Sequence, residues 1–513
     1  MVRQRALPME MATMKRRRWR RWLALALATL LLCGCLAGRP AFLWVRAWLH
    51  DQPVPHHVPM GHVDDASRMN STPVATVWSI PSDPAGVEEQ LRELLQRARM
   101  ERLPVALAGA RHTMGGHTIA PDGIVLNMLP FNHMAWDAQR ELLTVGAGAR
   151  WFEIIPYLDA RGLSVAIMQS NHNFSVGGSL SVNCHGWQQQ RPPIASTVAS
   201  FRLMLADGTI VRCSRTEQTE LFALVLGGYG LFGIILDAEL RVVPNERYRP
   251  EVEVLPAERY VARFQEKVGQ ANDVGMVYGR LCVAPGAETF LREAILTVFR
   301  QSPCRPEEMP TLRSPGYATL RREVYRAQIG SAAGKDVRWK TEKAVSGIMG
   351  RMHFSRNQLL HEPAEVFQEQ NADRTDILHE YFLPPEGVGP FLDAARQIIP
   401  RHDVDLLNVT IRNVLADQDS FLRYADRDLF AFVMLFNQPR TSAADERMAA
   451  LTRELIDAAL ANGGRFYLPY RLHATPEQLA GAYPQAARFF ERKRHYDPHE
   501  LFQNQFYLKY GRP

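Results

Sequence analysis

Two adjacent glycines, Gly177 and Gly178, lie in a run of small residues that ends in the pair His185-Gly186. Residues without a Cβ atom let a backbone approach a flat or phosphate-bearing ligand and adopt positive φ angles. Upstream, the apolar segment 103–108 leads into the glycine-containing loop 109–117, whose N–H groups can form an anion-binding nest. Glycine patterns also occur in ordinary turns, so the order and spacing of further segments carry the argument.

Two further segments follow in a fixed order. Residues 198–205 predict a strand that ends in the turn Asp207-Gly208, and residues 227–235 are again rich in glycine and lead into the apolar segment 240–244. Taken together, these segments resemble the FAD-binding domain of the vanillyl-alcohol oxidase and p-cresol methylhydroxylase (PCMH) superfamily. The Rossmann fold is a poor alternative, because no GxGxxG motif stands between a strand and a helix with an acidic residue about 20 positions later.

The resemblance implies an α+β fold: a PCMH-type FAD-binding domain with two subdomains, and a substrate-capping domain that lays an antiparallel sheet over the flavin. At 513 residues, the chain is long enough for at least two domains. The predicted organisation, in chain order, is a signal or membrane anchor (1–48), a linker (49–72), the FAD-binding domain (73–245), the cap domain (246–464), and a C-terminal segment that returns to the first domain (465–513). Residues 257–271, 363–370 and 387–399 predict helices of the cap.

The resemblance also predicts which residues contact FAD. They are Ala108, Gly109, Ala110, Arg111, His112, Thr113, Gly115, Gly116, Ser170, Asn171, Ser175, Gly177, Gly178, Ser181, Asn183, Cys184, His185, Gly186, Gly233, Ile235 and Tyr467. His112 resembles the histidine that binds the flavin 8α-methyl group covalently in sugar and alditol oxidases. The alternative is a loop histidine that is hydrogen-bonded near the pyrophosphate.

The expected chemistry is removal of a proton and a hydride from a carbon held near flavin N5, which requires a base and hydrogen-bond donors. Period-two alternation places Asn408, Thr410 and Arg412 on one face of a strand. Glu380 is a candidate base, with a solvated carboxylate as the alternative reading. Tyr470 is a candidate donor or acceptor, with a core aromatic residue as the alternative.

Arg412 matches the Glu-x-Arg pattern of aldonolactone and alditol oxidases, but Thr410 replaces its glutamate, and Tyr470 stands where the decaprenylphosphoryl-ribose oxidase has lysine. The resemblance predicts oxidation of a CH–OH group in a sugar, aldonolactone or alditol, with electrons passed to O2 or to a membrane acceptor. Three alternatives remain open: amine oxidation of the cytokinin-dehydrogenase type, reduction of a double bond, and flavin binding without turnover.

The N-terminus has the pattern of a leader that engages a membrane. The basic segment 15–21 precedes the apolar run 22–38, which fits an export signal or a signal anchor. A bacterial lipoprotein, with Cys35 as the modified residue, and a twin-arginine signal are further possibilities. The positive-inside tendency places the enzyme domain outside the cytoplasm, and the resemblance to a lipoprotein signal indicates a bacterial chain. We therefore expect a membrane-associated bacterial protein whose enzyme domain is periplasmic or extracytoplasmic.

The basic residues are concentrated in this leader. The net charge is +6, but residues 1–46 carry ten Lys or Arg residues and one acidic residue, so the rest of the chain is slightly negative. A nucleic-acid partner is therefore not expected. Cys184, Cys213, Cys282 and Cys304 show no spacing typical of a metal site.

Overall fold

The computed structural model describes residues 57–512, apart from Pro84, Gln190, Ala287, residues 314–321 and Val324, together with Val45. The predicted signal or anchor, residues 1–48, lies outside the described residues except for Val45. None of the helices in the described part of the chain is both long enough and apolar enough to cross a membrane.

The strands of the described residues are, in chain order, β1 (His62–Val63), β2 (Thr72–Pro73), β3 (Thr76–Ser79), β4 (Val105–Ala108), β5 (Ile124–Asn127), β6 (Met134–Asp137), β7 (Leu142–Gly146), β8 (Leu163–Val165), β9 (Val198–Met204), β10 (Ile210–Ser214), β11 (Ile234–Pro244), β12 (Arg247–Pro256), β13 (Val274–Leu281), β14 (Glu293–Gln301), β15 (Phe354–Ser355), β16 (Arg374–Leu383), β17 (Asp405–Val414), β18 (Leu429–Pro439) and β19 (Arg465–Phe466).

The α-helices of the same residues are α1 (Val87–Met100), α2 (Trp151–Asp159), α3 (Val176–Ser181), α4 (Thr219–Val225), α5 (Tyr260–Val268), α6 (Ala332–Met349), α7 (Arg356–Leu360), α8 (Val388–Ile398), α9 (Ser442–Ala461), α10 (Pro476–Ala482), α11 (Ala486–Tyr496) and α12 (Gln505–Tyr510). The predicted α+β fold class is confirmed.

Three sheets determine where the candidate site lies. A parallel sheet has the order β3-β5-β4, and its central strand β5 is apolar and buried, as expected for a strand covered on both faces. A second, antiparallel sheet has the order β10-β9-β11-β7-β6, with β8 paired to β11. The third sheet is antiparallel, with the order β15-β12-β14-β13-β17-β18-β16-β19.

The C-terminal segment packs against the parallel sheet. Phe502 pairs with Val105 of β4, and the Val105 N–H donates to the carbonyl of Leu501 at 2.7 Å. The side-chain amide of Asn504 donates to the carbonyls of His117 and Tyr229. The end of the chain therefore stabilises β4, which leads directly into the loop 109–117.

One predicted helix of the third-sheet region is wrong. Residues 363–370 contain only a short 3-10 turn, Ala364–Val366. The backbone here is used for tertiary contacts: the Ala364 N–H donates to the side chain of Asn173, and the Glu362 carbonyl accepts from the His172 N–H. The other two predictions correspond to α5, which a 3-10 turn precedes, and to α8.

Candidate functional site

A cavity lies between the parallel sheet and the second sheet. Three segments form most of its wall: the loop after β4, the N-terminal half of α3, and the glycine-rich segment that leads into β11. The lining residues are Leu107, Ala108, Gly109, Thr113, His117, Thr118, Met128, Ala147, Ser175, Gly177, Gly178, Ser181, Val182, Val225, Gly228, Tyr229, Gly230, Leu231, Phe232, Gly233, Ile234 and Ile235.

The wall of this cavity fits a phosphate-bearing cofactor. A Cβ atom on Gly109 would lie 2.0 Å from Oγ of Ser175, so no larger residue fits there without rearrangement. Gly233 has a φ of +150°, which other residues rarely adopt. The hydroxyls of Thr113 and Thr118 are buried without a hydrogen-bond partner in the described part of the chain. Buried hydroxyls normally have partners, so a ligand in the cavity accounts for both.

Gly177 provides a direct test of this cavity. A Cβ atom there would lie 2.9 Å from Cβ of Ala147. Overpacking costs about 1–3 kcal/mol, so we expect Gly177→Val to weaken FAD binding about ten- to hundredfold, measured by the visible absorbance of the purified protein in the His112→Ala background, where no covalent link can retain the flavin. Gly347→Val is the control, because nothing lies within 4 Å of a Cβ atom at that position. Full flavin content in Gly177→Val would contradict this assignment.

Nine of the residues predicted to contact FAD line the cavity. These are Ala108, Gly109, Thr113, Ser175, Gly177, Gly178, Ser181, Gly233 and Ile235. Sequence reasoning missed the whole of the wall contributed by residues 228–232, although that segment was part of the resemblance. The positive φ angles of Gly227 and Gly230 show that this turn needs glycine, and the glycine spacing was the available signal.

Several other predicted residues have structural contacts outside the cavity wall. Gly115 and Gly116 pack against Tyr470 and Gln505, and Gly186 packs against Met168 and Gln188. Asn183 donates to Asp417, and the pKa of the buried Cys184 thiol is raised to about 12 by burial. Neither Asn183 nor Cys184 is among the lining residues, as is also true of Ala110, Arg111, Ser170, Asn171 and Tyr467.

His112 follows β4 and stacks on Phe174, with ring centroids 4.1 Å apart. Burial lowers the pKa of His112 to about 4, so its imidazole is neutral at pH 7. A neutral imidazole has an unprotonated nitrogen that is able to form a bond to carbon. The residue therefore has the protonation state that the predicted covalent link requires.

Glu380 lies at the centre of a buried polar cluster, and its interpretation as a solvated carboxylate is wrong. Nε2 of His185 lies 2.7 Å from Oε1 of Glu380, and the side chains are 5% and 2% exposed. The hydroxyl of Tyr470 donates to Oε2 at 2.9 Å. Burial alone raises the pKa of Glu380, but His185, Arg412 and Tyr470 together outweigh it and lower the pKa below its usual value.

The polar cluster adjoins the cavity. Val182 lines the cavity, and its carbonyl accepts a hydrogen bond from the hydroxyl of Tyr467 at 2.8 Å. The ring of Tyr467 lies 5.8 Å from the rings of both His185 and Tyr470. Burial raises the pKa of the Tyr470 phenol well above its usual value, and Glu380 adds to this shift. Tyr470 is therefore a neutral hydrogen-bond donor.

The three residues predicted on one strand face do share a face of β17. The amide of Asn408 donates to the hydroxyl of Thr410 at 2.9 Å, and Arg412 donates to Oγ of Ser170 at 2.7 Å. Thr410 pairs with Val433 of β18, which in turn pairs with Glu380 of β16. Thr410 and Glu380 therefore lie on the same face of the sheet.

Comparison with known families agrees with this cavity. Residues 85–214 match the family described as FAD binding domain, and they include the loop after β4 and the whole of α3. Residues 85–214 thus resemble the FAD-binding domain of the PCMH-type superfamily of FAD-dependent oxidoreductases. The cofactor of the chain is FAD, as predicted.

Three curated relatives of this flavoprotein illustrate the range of the superfamily. Cytokinin dehydrogenase 2 of Oryza sativa is 27% identical over 61% of this chain and 62% of its own length. L-Gulonolactone oxidase of Mus musculus is 29% identical over 30% of this chain and 36% of its own length. D-Arabinono-1,4-lactone oxidase of Candida albicans is 27% identical over 34% of this chain and 33% of its own length. The chain thus spans between about a third and just under two thirds of these relatives.

The described residues contain no group of three or more His, Cys, Asp or Glu side chains able to hold a metal ion. The cysteines among them, Cys184, Cys213, Cys282 and Cys304, are free thiols.

Proposed function

We propose that this FAD-dependent oxidoreductase oxidises a CH–OH group of a sugar, aldonolactone or alditol and passes the electrons to O2 or to a membrane acceptor. The observation that carries the proposal is the buried cluster of Glu380, His185 and Tyr470 beside the FAD cavity. FAD, when bound, supplies a two-electron acceptor for hydride.

In this proposal, the Glu380–His185 pair holds the proton that leaves the substrate hydroxyl. The lowered pKa of Glu380 keeps the carboxylate ionised at neutral pH. The short contact with Nε2 fixes the imidazole of His185, whose Nδ1 is buried without a hydrogen-bond partner among the described residues. That nitrogen is available to accept a proton, while the Glu380 carboxylate stabilises the resulting imidazolium.

The other polar groups orient the substrate in this scheme. Tyr470 is a neutral donor that steadies the carboxylate, and Thr410 and Arg412 present a hydroxyl and a cation on the same sheet face as Glu380. Nε of Arg412 is buried and has no partner in the described part of the chain. A substrate oxygen accepting from that N–H satisfies it.

Amine oxidation is the second candidate. The relative named cytokinin dehydrogenase 2 aligns with 61% of this chain, compared with 30% for the relative named L-gulonolactone oxidase. The longer alignment extends beyond the FAD-binding region, where substrate contacts are expected.

Anaerobic bleaching of the flavin absorbance distinguishes these functions. We expect alditols, aldoses or aldonolactones to bleach the flavin and amines to leave it oxidised. Bleaching by amines alone would replace the proposal with amine oxidation, and bleaching by a nicotinamide donor followed by reoxidation with an alkene would indicate a reductase. A flavin that no donor reduces would favour a binding protein.

We propose that His112 carries FAD covalently. Acid precipitation of the wild type is expected to leave the yellow colour in the pellet, whereas His112→Ala is expected to release it into the supernatant. His353→Ala is the matched control, because His353 is exposed. Colour released from the wild type would contradict the covalent link without affecting the assignment of FAD.

A further inference from the structure

Two arginines contact the side-chain amide of Asn408 on β17. They lie on the face of the third sheet that carries Thr410 and Glu380. Arg280 of β13 donates to Oδ1 of Asn408 at 2.5 Å, and Arg338 of α6 lies 3.3 Å from the same oxygen. Arg280 and Arg338 are 25% and 13% exposed, so part of each side chain is accessible to a ligand.

These arginines lie on the same face of the sheet as Glu380. Arg280 pairs with Thr410, which pairs with Val433, which pairs with Glu380. Three strand spacings separate Arg280 from Glu380, or about 14 Å between their backbones. A group bound at Arg280 is therefore at the end of a substrate remote from the carbon that is oxidised.

The helix that supplies Arg338 covers the same sheet face. Trp339 of α6 packs in a cluster with Ile295 and Cys282, and Ile295 is the cross-strand neighbour of Arg280. The helix therefore forms a wall beside Arg280, and Arg338 extends from it toward β17, where it also donates to the Leu407 carbonyl at 2.9 Å.

The charges on this face are not balanced. Glu342 lies 2.8 Å from Arg338 and 4.0 Å from Arg280, so one carboxylate serves two guanidinium groups. With Arg412 and Glu380 included, three arginines face two carboxylates. Partly buried cations without full compensation favour binding of an anion.

A buried phenol adds a second, independent indication of a ligand. Tyr325 is 6% exposed, and its hydroxyl has no hydrogen-bond partner in the described residues. The guanidinium carbon of Arg338 lies 4.6 Å from the centre of its ring. Buried tyrosine hydroxyls usually have a partner, and an anionic oxygen between the arginines would supply one.

We propose that the substrate carries an anionic group, a carboxylate or a phosphate, that binds between Arg280 and Arg338 with Tyr325 as a further donor. The inference rests on the proposed function for the identity of the substrate as a sugar-like alcohol. It assigns specificity to a position that Glu380 does not contact, and it favours an acidic sugar derivative over a neutral one.

The test is titration of the FAD-loaded protein with D-glucose, D-glucuronate and D-glucose 6-phosphate. Binding of each probe is measured from the change that it causes in the spectrum of the oxidised flavin. We expect at least one anionic probe to bind ten times more tightly than glucose, and the stronger of the two identifies carboxylate or phosphate as the preferred group. Equal affinities for the three probes would overturn the inference, and so would the failure of both anionic probes to bind, which is the case if neither D-glucuronate nor D-glucose 6-phosphate changes the spectrum.

Charge variants separate recognition from simple damage to the fold. Arg280→Gln and Arg338→Gln are expected to reduce the ratio of anionic to neutral affinity at least tenfold. Glu342→Gln removes the competing carboxylate and is expected to raise the same ratio severalfold, which a misfolded protein cannot do. Lys340→Gln is the control, because Lys340 is on the same helix and is 70% exposed. A ratio unchanged in all three site variants would overturn the inference.

The anion site and the proposed alcohol oxidation can be contradicted independently of each other, because probe binding and flavin bleaching are separate measurements. If the anionic probes change the flavin spectrum, if Arg280→Gln and Arg338→Gln weaken their binding, and if no alcohol bleaches the flavin, the anion site is supported and the proposed alcohol oxidation is contradicted. Bleaching by neutral alcohols, with no preference for the anionic probes, supports the oxidation and overturns the anion site.

Discussion

Glu380→Gln is expected to lower kcat/KM about 10²- to 10⁴-fold, the usual contribution of a positioned acid–base group. Glutamine keeps the shape of the side chain and still accepts a hydrogen bond from Tyr470, but it removes the charge that lies 2.7 Å from His185. Glu380 belongs to β16 and is absent from the cavity wall, so the variant should retain its flavin. Anaerobic flavin reduction in a stopped-flow instrument measures the effect on the chemical step directly.

Glu386→Gln is the matched control for this substitution, because Glu386 follows β16 and is exposed. It should reduce the flavin at the wild-type rate. A Glu380→Gln protein that holds FAD and reacts within about threefold of the wild type, well below the range given for acid–base catalysis, would show that the Glu380–His185 pair does not move the proton.

The pH dependence of the wild type provides a second measurement of the same group. The charged neighbours of Glu380 lower its pKa, so the carboxylate is lost only as the pH falls through that lowered value. Loss of the Glu380 charge should therefore lower kcat/KM only below a pH of about 4.3, the ordinary pKa of glutamate, and Glu380→Gln should lack this step. A wild-type step assigned to Glu380 by its absence from Glu380→Gln, but lying well above that value in a protein that remains folded, would contradict the lowered pKa.

Part of the cavity wall could be predicted from the sequence because it is built from glycines, which have no side chain. A backbone that approaches a cofactor closely needs glycine at local positions, and local requirements are visible in the order of residues, as for Gly109, Gly177 and Gly233. The face of β17 was predictable for a similar reason, since alternation along one strand determines which side chains are neighbours.

The contact between Glu380 and His185 could not be predicted, because it depends on the packing of segments that are distant in the chain. Residues 375–383 are buried with little interruption, so the alternation that separates a wet face from a dry face is missing from β16. Whether Glu380 faced solvent or the site was decided by its register with β18 and by the position of the loop after α3. The same limit applies to Arg338, which meets Asn408 only because α6 folds back over β17.

The buried ion pair between Lys493 and Asp497 holds the C-terminal segment in place. Their side chains are 0% and 1% exposed, with Nζ and Oδ2 2.5 Å apart. The two carboxylate oxygens of Asp497 also accept from the backbone N–H groups of Leu501 and Phe502 at 2.9 and 2.8 Å. Burial lowers the pKa of Lys493, and the charge of Asp497 offsets only part of that shift.

Asp497→Ala is therefore expected to lower the free energy of unfolding by about 3–5 kcal/mol, because it leaves a buried cation without its partner. Urea unfolding followed by far-UV circular dichroism measures the change, and Asp336→Ala is the control, since its pair with Lys340 is exposed and contributes about 1 kcal/mol or less. Adding Lys493→Met should recover part of the loss. Phe502 pairs with β4, which leads into the loop of Gly109 and His112, so FAD retention in the His112→Ala background should fall together with stability. A loss below about 1 kcal/mol, the scale of an exposed pair, would show that apolar packing alone holds the segment.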